Sequence, residues 1–461
     1  MEENITYKLL SKELFEGIKH HAEIEIADSD IKDSSIFIDG YKHSMVGIIA
    51  LTIAAKKKVI IDNPPLVSDT FVFVAIINEL GGNAHIANNK LYIDASEILS
   101  TDIPIFLSRC IHGSLYMCPA LLVANKRFCF YGSGGCQIGD SLDKNKRPIA
   151  HIMSVMCEFG GEINIDESAV SGSLSLVSNI EEIDIARYST SPNISEGPLV
   201  GGATKTAIIM SLLGHDKLII KNAYLKTDVL DMLRFLRKLG KNVTINGTNV
   251  IICEQQGGLE NDELNFTLTQ CVSEIITYGV LAVASNKSIS FPNLNKDVLE
   301  FGLRPEMDLL IKMGVECFWV EDVLYFRPGY CINSCNIDVV PNGIQSDHHP
   351  FFVLLLLLSN RQSELTEYVW KERFMYVDNL KKMGANIYVN KNRITVFPSV
   401  LTATDIDLPA MDVRSAATSL LAMILSKSSN RLTEAEHLIR GYSRLQEQLE
   451  IMGVKINIKY T

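Results

Sequence analysis

Three features of the chain predict an α/β protein assembled from six copies of one unit in two lobes. The first is a recurrent pattern, an amphipathic helix that ends in an apolar residue and Gly and is followed by an alternating strand: INELGGNAHI, CEFGGEINI, LRKLGKNVTI, IKMGVECFW, KKMGANIYV and EIMGVKINI. Its glycines, Gly81, Gly160, Gly240, Gly314, Gly384 and Gly453, recur every 69 to 80 residues. Gly ends a helix because it accepts the left-handed conformation without a Cβ clash, and the apolar period then changes from that of a helix to that of a strand. The second is an earlier strand and helix in each copy, as in KKVIIDNPPLVSDTFVFVAIINEL and KLIIKNAYLKTDVLDMLRFLRKL, which gives a unit of roughly 75 residues, too large for a thin solenoid. The third is length: 461 residues exceed what one hydrophobic core holds, about 250 to 300 residues, so three units per lobe with a boundary near residue 268 is the expected division.

Composition narrows the partners. Apolar residues make up 47% and charged residues 21%, the balance of a folded globular chain. The net charge of -11 and the lack of a dense basic run exclude an electrostatic footprint for nucleic acid, leaving small molecules as the expected ligands. Ten scattered cysteines, among them Cys110, Cys118 and Cys129 in apolar surroundings, fit free thiols in a reducing compartment rather than a disulfide scaffold. The start, MEENITYKLLSKELFEG, lacks the pattern of a secretory signal, and the longest apolar run, PFFVLLLLLS at 350–359, is too short to cross a membrane and reads as a buried helix. A cytoplasmic protein with no membrane association is expected, of open oligomeric state.

The segment 132–148 reads as a lid loop. Gly132, Gly134, Gly135 and Gly139 surround Cys136, and Arg147-Pro148 leads into a helical pattern. Such glycines let the backbone approach a ligand, Arg147 can donate in pairs to phosphate or carboxylate, and cations near an exposed thiol favour the thiolate. A lone cysteine is ordinarily structural, so on the residues alone both readings of Cys136 stand.

Motifs spread over the chain carry a resemblance. GGCQIG with Arg147-Pro148 is joined by DGYKHS with Lys42, VGGATKTAIIM with Gly202 and Thr204, and SDHHPFF with Asp347. KERFMYVDNLKKMGA with Arg373, MDVRSAATSLLA with Asp412 and Arg414, and IRGYSRLQEQLEIMGVKI with Arg440 follow in order. In these the chain resembles the enolpyruvyl transferases, the branch acting on UDP-N-acetylglucosamine more than the 5-enolpyruvylshikimate-3-phosphate synthases. The resemblance implies a two-lobed inside-out α/β barrel with three βαβαββ units per lobe. Residues 42–268, with the lid, would form one lobe, and residues 1–41 and 269–461 the other, with the active site in the cleft between them. It implies transfer of the enolpyruvyl group of phosphoenolpyruvate to a hydroxyl acceptor, with no cofactor and no metal.

Roles follow from the same resemblance. Cys136 matches the acid that protonates the methylene, the position alkylated by the epoxide fosfomycin, and Asp347 matches the base beside the incoming hydroxyl. Lys42, Arg147 and Arg440 would face the phosphate, Arg373 and Arg414 would contact the carboxylate, and Gly202, Thr204 and Asp412 would be further substrate contacts. The other reading of Asp347 is a cap for the helix beginning at PFFVLLL. His348 and His349 beside it invite a metal reading, but no third and fourth ligand at the usual spacing is evident.

Three positions depart from the family pattern, all on or near the acceptor side. His43 stands where the family has Asn, His112 where it has Arg, with Arg109 one turn earlier, and Ala150 where it has the Asp that serves the uridine; Lys205 adds a further unmatched polar group. UDP-N-acetylglucosamine, used in peptidoglycan precursor synthesis, is therefore the default acceptor. Another nucleotide or sugar in specialised metabolism is the main alternative, and a catalytically silent ligand-binding relative the third. Retention of Cys136, Asp347 and the cation set argues against the last.

Overall fold

The computed structural model describes residues 21–135, 148–191, 197, 199–254, 262–410 and 412–460. Cys136, Arg147 and most of the loop 132–148 lie outside the described residues. The architecture is mixed α/β, with five four-stranded sheets and one three-stranded sheet among the described residues.

All six helix-to-strand glycines have positive φ, between 80° and 97°. Each follows a helix, beginning with Ser68–Glu79 and Ala150–Glu158 and ending with Leu445–Ile451, and each precedes a strand, from Asn83–Ala87 to Val454–Tyr460. The first unit shows the plan. Strand Lys58–Asp62 leads through helix Ser68–Glu79 to the hairpin Asn83–Ala87 and Lys90–Asp94, whose second strand lies between the other two and is antiparallel to both. Strand Glu263–Thr267, distant in sequence, adds to the free edge in parallel, pairing Glu263 with Lys58 and Thr267 with Asp62.

The last unit uses the same plan with a strand from the start of the chain. Ala22–Ser29 takes the central place, antiparallel to both Arg431–Thr433 and Val454–Tyr460, with Ala22 opposite Tyr460. Strand Ala22–Ser29 is thereby tied to strands from the last part of the chain.

Two hydrophobic cores result. One draws its buried residues from Met45 to Leu268, the other from Ala22 to Tyr41 and from Cys271 to Ile456. The run Pro350–Leu357 is wholly buried in the second, within helix His349–Leu357. The chain crosses between cores twice, at 41–45 and 268–271, and the two crossings are paired. Tyr41 N donates to Thr269 O at 2.8 Å, and Cys271 N to Asp39 O at 2.9 Å. Gly40 sits in this bridge, where a Cβ would fall 2.2 Å from Asn63 O, so no larger residue fits without moving backbone. The nine described cysteines are all free thiols. No helix among the described residues is long and apolar enough to cross a membrane.

Candidate active site

The crossings open directly onto a cleft that draws residues from both cores. Several helices turn their first residues toward it. Lys42 and His43 begin helix Lys42–Ala55, Asp69 lies in the first turn of Ser68–Glu79, Asp228 in that of Thr227–Lys238, and Arg414 in that of Val413–Ser426. Helix starts carry unpaired N–H groups and the positive end of the helix dipole, so this convergence favours an anionic ligand.

The cations are organised by three carboxylates. Asp69 lies between Lys42 Nζ at 3.3 Å and Arg440 Nε at 3.4 Å, while Lys42 also donates to Arg440 O at 2.7 Å. Burial alone would raise the Asp69 pKa, but Lys42 and Arg440 outweigh it and hold the carboxyl below its usual range. Lys205 pairs with Asp228 and stands 5.4 Å from the Tyr116 ring. That pair is likewise resolved in favour of the charged forms against burial, with the Lys205 pKa raised and the Asp228 pKa lowered.

Asp347 is the third. Arg373 Nη1 donates to its Oδ1 at 2.5 Å and Arg414 Nη2 to its Oδ2 at 2.9 Å. Burial opposes ionisation, yet the two guanidinium groups hold this carboxyl well below the ordinary carboxylate range. The residue is not a helix cap: the N-cap of His349–Leu357 is His348, with no side-chain capping bond. Arg373 is buried, and its Nε has no acceptor among the described residues. His43 lies in the same cleft edge-on to Tyr41, and burial together with Lys42 and Lys205 lowers its pKa to about 4, so the imidazole is neutral at physiological pH.

The structure brings together Lys42, His43, His112, Gly202, Asp347, Arg373, Arg414 and Arg440 along the cleft. Gly202 is there because it has no side chain: a Cβ would fall 2.1 Å from His151 Nε2. Three expected residues stand elsewhere. Arg109 is exposed and turns its Nε to Tyr131 O at 3.3 Å, leaving His112 as the one of the two that lines the cleft. Thr204 is fully buried, bonded to Val200 O and to Tyr224 N. Asp412 caps helix Val413–Ser426, accepting from Arg414 N and Ser415 N at 2.7 Å each, and so acts on the site by aiming Arg414. Cys136 and Arg147 lie outside the described residues.

Sequence reasoning missed Asp69, Asp228, Tyr116, Tyr224 and Trp370, all of which line the cleft. Asp69 and Asp228 follow Ser68 and Thr227 as the helices begin, a pattern that reads as ordinary helix-start chemistry. His348 and His349 are both buried beside carboxylates: His348 Nδ1 is 2.9 Å from Glu306, and His349 Nε2 3.2 Å from Glu367. No group of three or more metal-ligating side chains occurs among the described residues.

A cleft lined by arginine and lysine and held in shape by buried carboxylates defines a site for a small polyanion. Comparison with known proteins agrees. The family model described as EPSP synthase (3-phosphoshikimate 1-carboxyvinyltransferase) matches residues 32–449. The chain belongs to that family and is a transferase of the enolpyruvyl class. It is 27% identical over 437 residues to a UDP-N-acetylglucosamine 1-carboxyvinyltransferase of Buchnera aphidicola, covering 93% of this chain and 97% of that protein. A second relative, UDP-N-acetylglucosamine 1-carboxyvinyltransferase 2 of Bacillus subtilis, is 26% identical, covering 94% and 96%. Among solved structures, the enolpyruvyl transferase NikO from Streptomyces tendae is similar with a TM-score of 0.87 and 27% identity, covering 96% of this chain and 100% of that one. EPSP synthase from Acinetobacter baumannii, at a TM-score of 0.69 and 14% identity over 95% of this chain and all of its own, shares the fold.

Proposed function

We propose that this protein transfers the enolpyruvyl group of phosphoenolpyruvate to a hydroxyl of a sugar nucleotide, by default UDP-N-acetylglucosamine, releasing inorganic phosphate. The observation that carries this reading is the pairing in one cleft of a carboxylate clamped by two arginines with a separate lysine–arginine pair. Phosphoenolpyruvate has a phosphate at one end and a carboxylate at the other, and arginine forks and lysine suit both. Lys42 and Arg440, drawn together by Asp69, are assigned to the phosphate. Arg373 and Arg414 are assigned to the carboxylate, and a ligand oxygen is the kind of acceptor the Arg373 Nε calls for.

The chemistry is an addition and an elimination. The acceptor oxygen bonds to C2 of phosphoenolpyruvate as its proton passes to Asp347, and C3 gains a proton from an acid. Loss of phosphate from C2 and of a proton from C3 then restores the double bond in the product. Ionised Asp347 is assigned the role of the base, and by its match to the family Cys136 is assigned that of the acid. Arg147 would add to the phosphate side. We read the six units as two lobes of three, residues 42–268 against residues 1–41 with 269–461, in the inside-out barrel of this family. The reading places the protein in the cytoplasm, on the route to peptidoglycan precursors.

A second acceptor class has specific support. His43, His112 and the Lys205–Asp228 pair line the cleft at or near positions where the family pattern differs, and Ala150 stands exposed at the head of helix Ala150–Glu158. Phosphate release from phosphoenolpyruvate should therefore be followed with UDP-N-acetylglucosamine, other sugar nucleotides and free nucleotides in parallel. Release with a single acceptor names the substrate, and no release with any of them defeats the reading.

A further inference from the structure

Asp347 is held at one remove by two buried carboxylates. On one side Arg373 Nη1 donates both to Asp347 and to Ser346 Oγ, the latter at 3.3 Å, and Ser346 Oγ donates to Glu367 Oε2 at 2.7 Å. On the other, Arg414 Nη2 donates both to Asp347 and to Ser273 Oγ at 3.0 Å. Ser273 Oγ then lies 3.0 Å from His348 Nε2, and His348 Nδ1 2.9 Å from Glu306 Oε1. Because a carboxylate only accepts, a His348 proton belongs on Nδ1, facing Glu306, and the Ser273 hydroxyl oxygen accepts from Arg414.

The same carboxylates fix the backbone. Gln345 N donates to Glu306 Oε1 at 2.8 Å, and Val369 N and Trp370 N donate to Glu367 Oε1 at 2.7 and 3.1 Å. Ser346 and His348 flank Asp347 in the chain, so the base sits on a segment pinned from both sides. Glu306, Glu367 and His348 have no exposed surface. Burying carboxylates in a core is unfavourable for stability unless position is gained in return.

We propose that Ser273 and Ser346, backed by Glu306 through His348 and by Glu367, are positioning residues that hold the two-arginine clamp on Asp347. The inference rests on the reading of Asp347 as the base, and its test separates the two. Ser273→Ala and Ser346→Ala each remove one hydroxyl while keeping the arginines. Each should lower kcat for phosphate release about tenfold, and because the same two arginines are assigned to the carboxylate of phosphoenolpyruvate, its KM should rise as well. The Asp347 carboxyl, followed by carbon-13 NMR and assigned with Asp347→Asn, should titrate at higher pH in both variants, because a looser clamp holds the anion less well. Glu367→Gln, isosteric and able to stay folded if an alanine variant is not, should act in the same direction. An unchanged Asp347 titration in all three variants overturns the proposal whether or not the protein turns over. A wild-type protein that releases no phosphate while the titration shifts as expected would instead count against the functional reading alone.

Discussion

Arg414 Nη2 lies 2.9 Å from Asp347 Oδ2, and the same nitrogen reaches Ser273 Oγ, so one guanidinium ties the Asp347 carboxylate to the Ser273 hydroxyl. With Arg373 on the other oxygen, Asp347 is ionised and has no part in capping the following helix. Asp347→Asn should keep the fold and phosphoenolpyruvate binding while lowering kcat by about 100-fold or more, the usual scale for a lost general base. Steady-state kinetics alongside calorimetric binding checks this. Full activity in the variant would remove the residue from the mechanism.

Arg440 shares Asp69 with Lys42, and its carbonyl also receives the Lys42 ammonium. Arg440→Ala should therefore weaken phosphoenolpyruvate binding by about 2 to 4 kcal/mol, through loss of its own donors and a freed Lys42–Asp69 pair. Isothermal titration measures it. Unchanged affinity would take the phosphate away from this end of the cleft.

His112 and Arg109 should separate cleanly. His112 lines the cleft, whereas Arg109 is exposed and bonded to Tyr131 O. His112→Ala should raise KM for the acceptor several-fold, and Arg109→Ala should leave both KM values within about twofold. The reverse pattern would mean that the arginine swings into the site during turnover.

Glu274 gives a prediction about stability. It is buried, with Ser443 N on one oxygen at 3.1 Å and no partner for the other among the described residues, and burial pushes its pKa up to about 8. A carboxyl whose folded pKa is raised holds its proton more tightly when folded, so stability is full below the unfolded value of 4.5 and is lost as pH rises toward 8. Glu274→Gln removes that loss. Relative to wild type it should gain on the order of 3 kcal/mol between about pH 5.5 and about pH 8.5 in denaturant unfolding. An equal difference at both pH values would show that Glu274 does not titrate there.

The sequence was most informative where local chemistry repeats or where a motif is contiguous. The six glycines had to be glycine because each ends a helix at positive φ, a constraint visible in one residue and its neighbours. Asp347, Arg373, Arg414 and Arg440 were legible as members of motifs. What could not be read was direction. Arg109 and His112 are not on one helix face: Arg109 follows the short helix Ile105–Ser108 and His112 precedes the turn Gly113–Tyr116, so which of them lines the cleft is set by packing beyond that stretch. Asp69 and Asp228 look like helix-start residues, and their pairing with Lys42 and Lys205 depends on helices brought together by long-range packing. Asp412 and Thr204 were read as ligand contacts because they sit in motifs that shape the site, one as a cap and the other as a buried backbone tie.

Enolpyruvyl transfer is tested most directly by the mass of the acceptor. Protein incubated with phosphoenolpyruvate and UDP-N-acetylglucosamine, and in parallel with free nucleotides, should convert one acceptor to a product heavier by one enolpyruvyl group, with one phosphate released per product formed. Phosphate released without a heavier acceptor would mean hydrolysis rather than transfer. An unchanged acceptor and intact phosphoenolpyruvate across the panel would contradict the account.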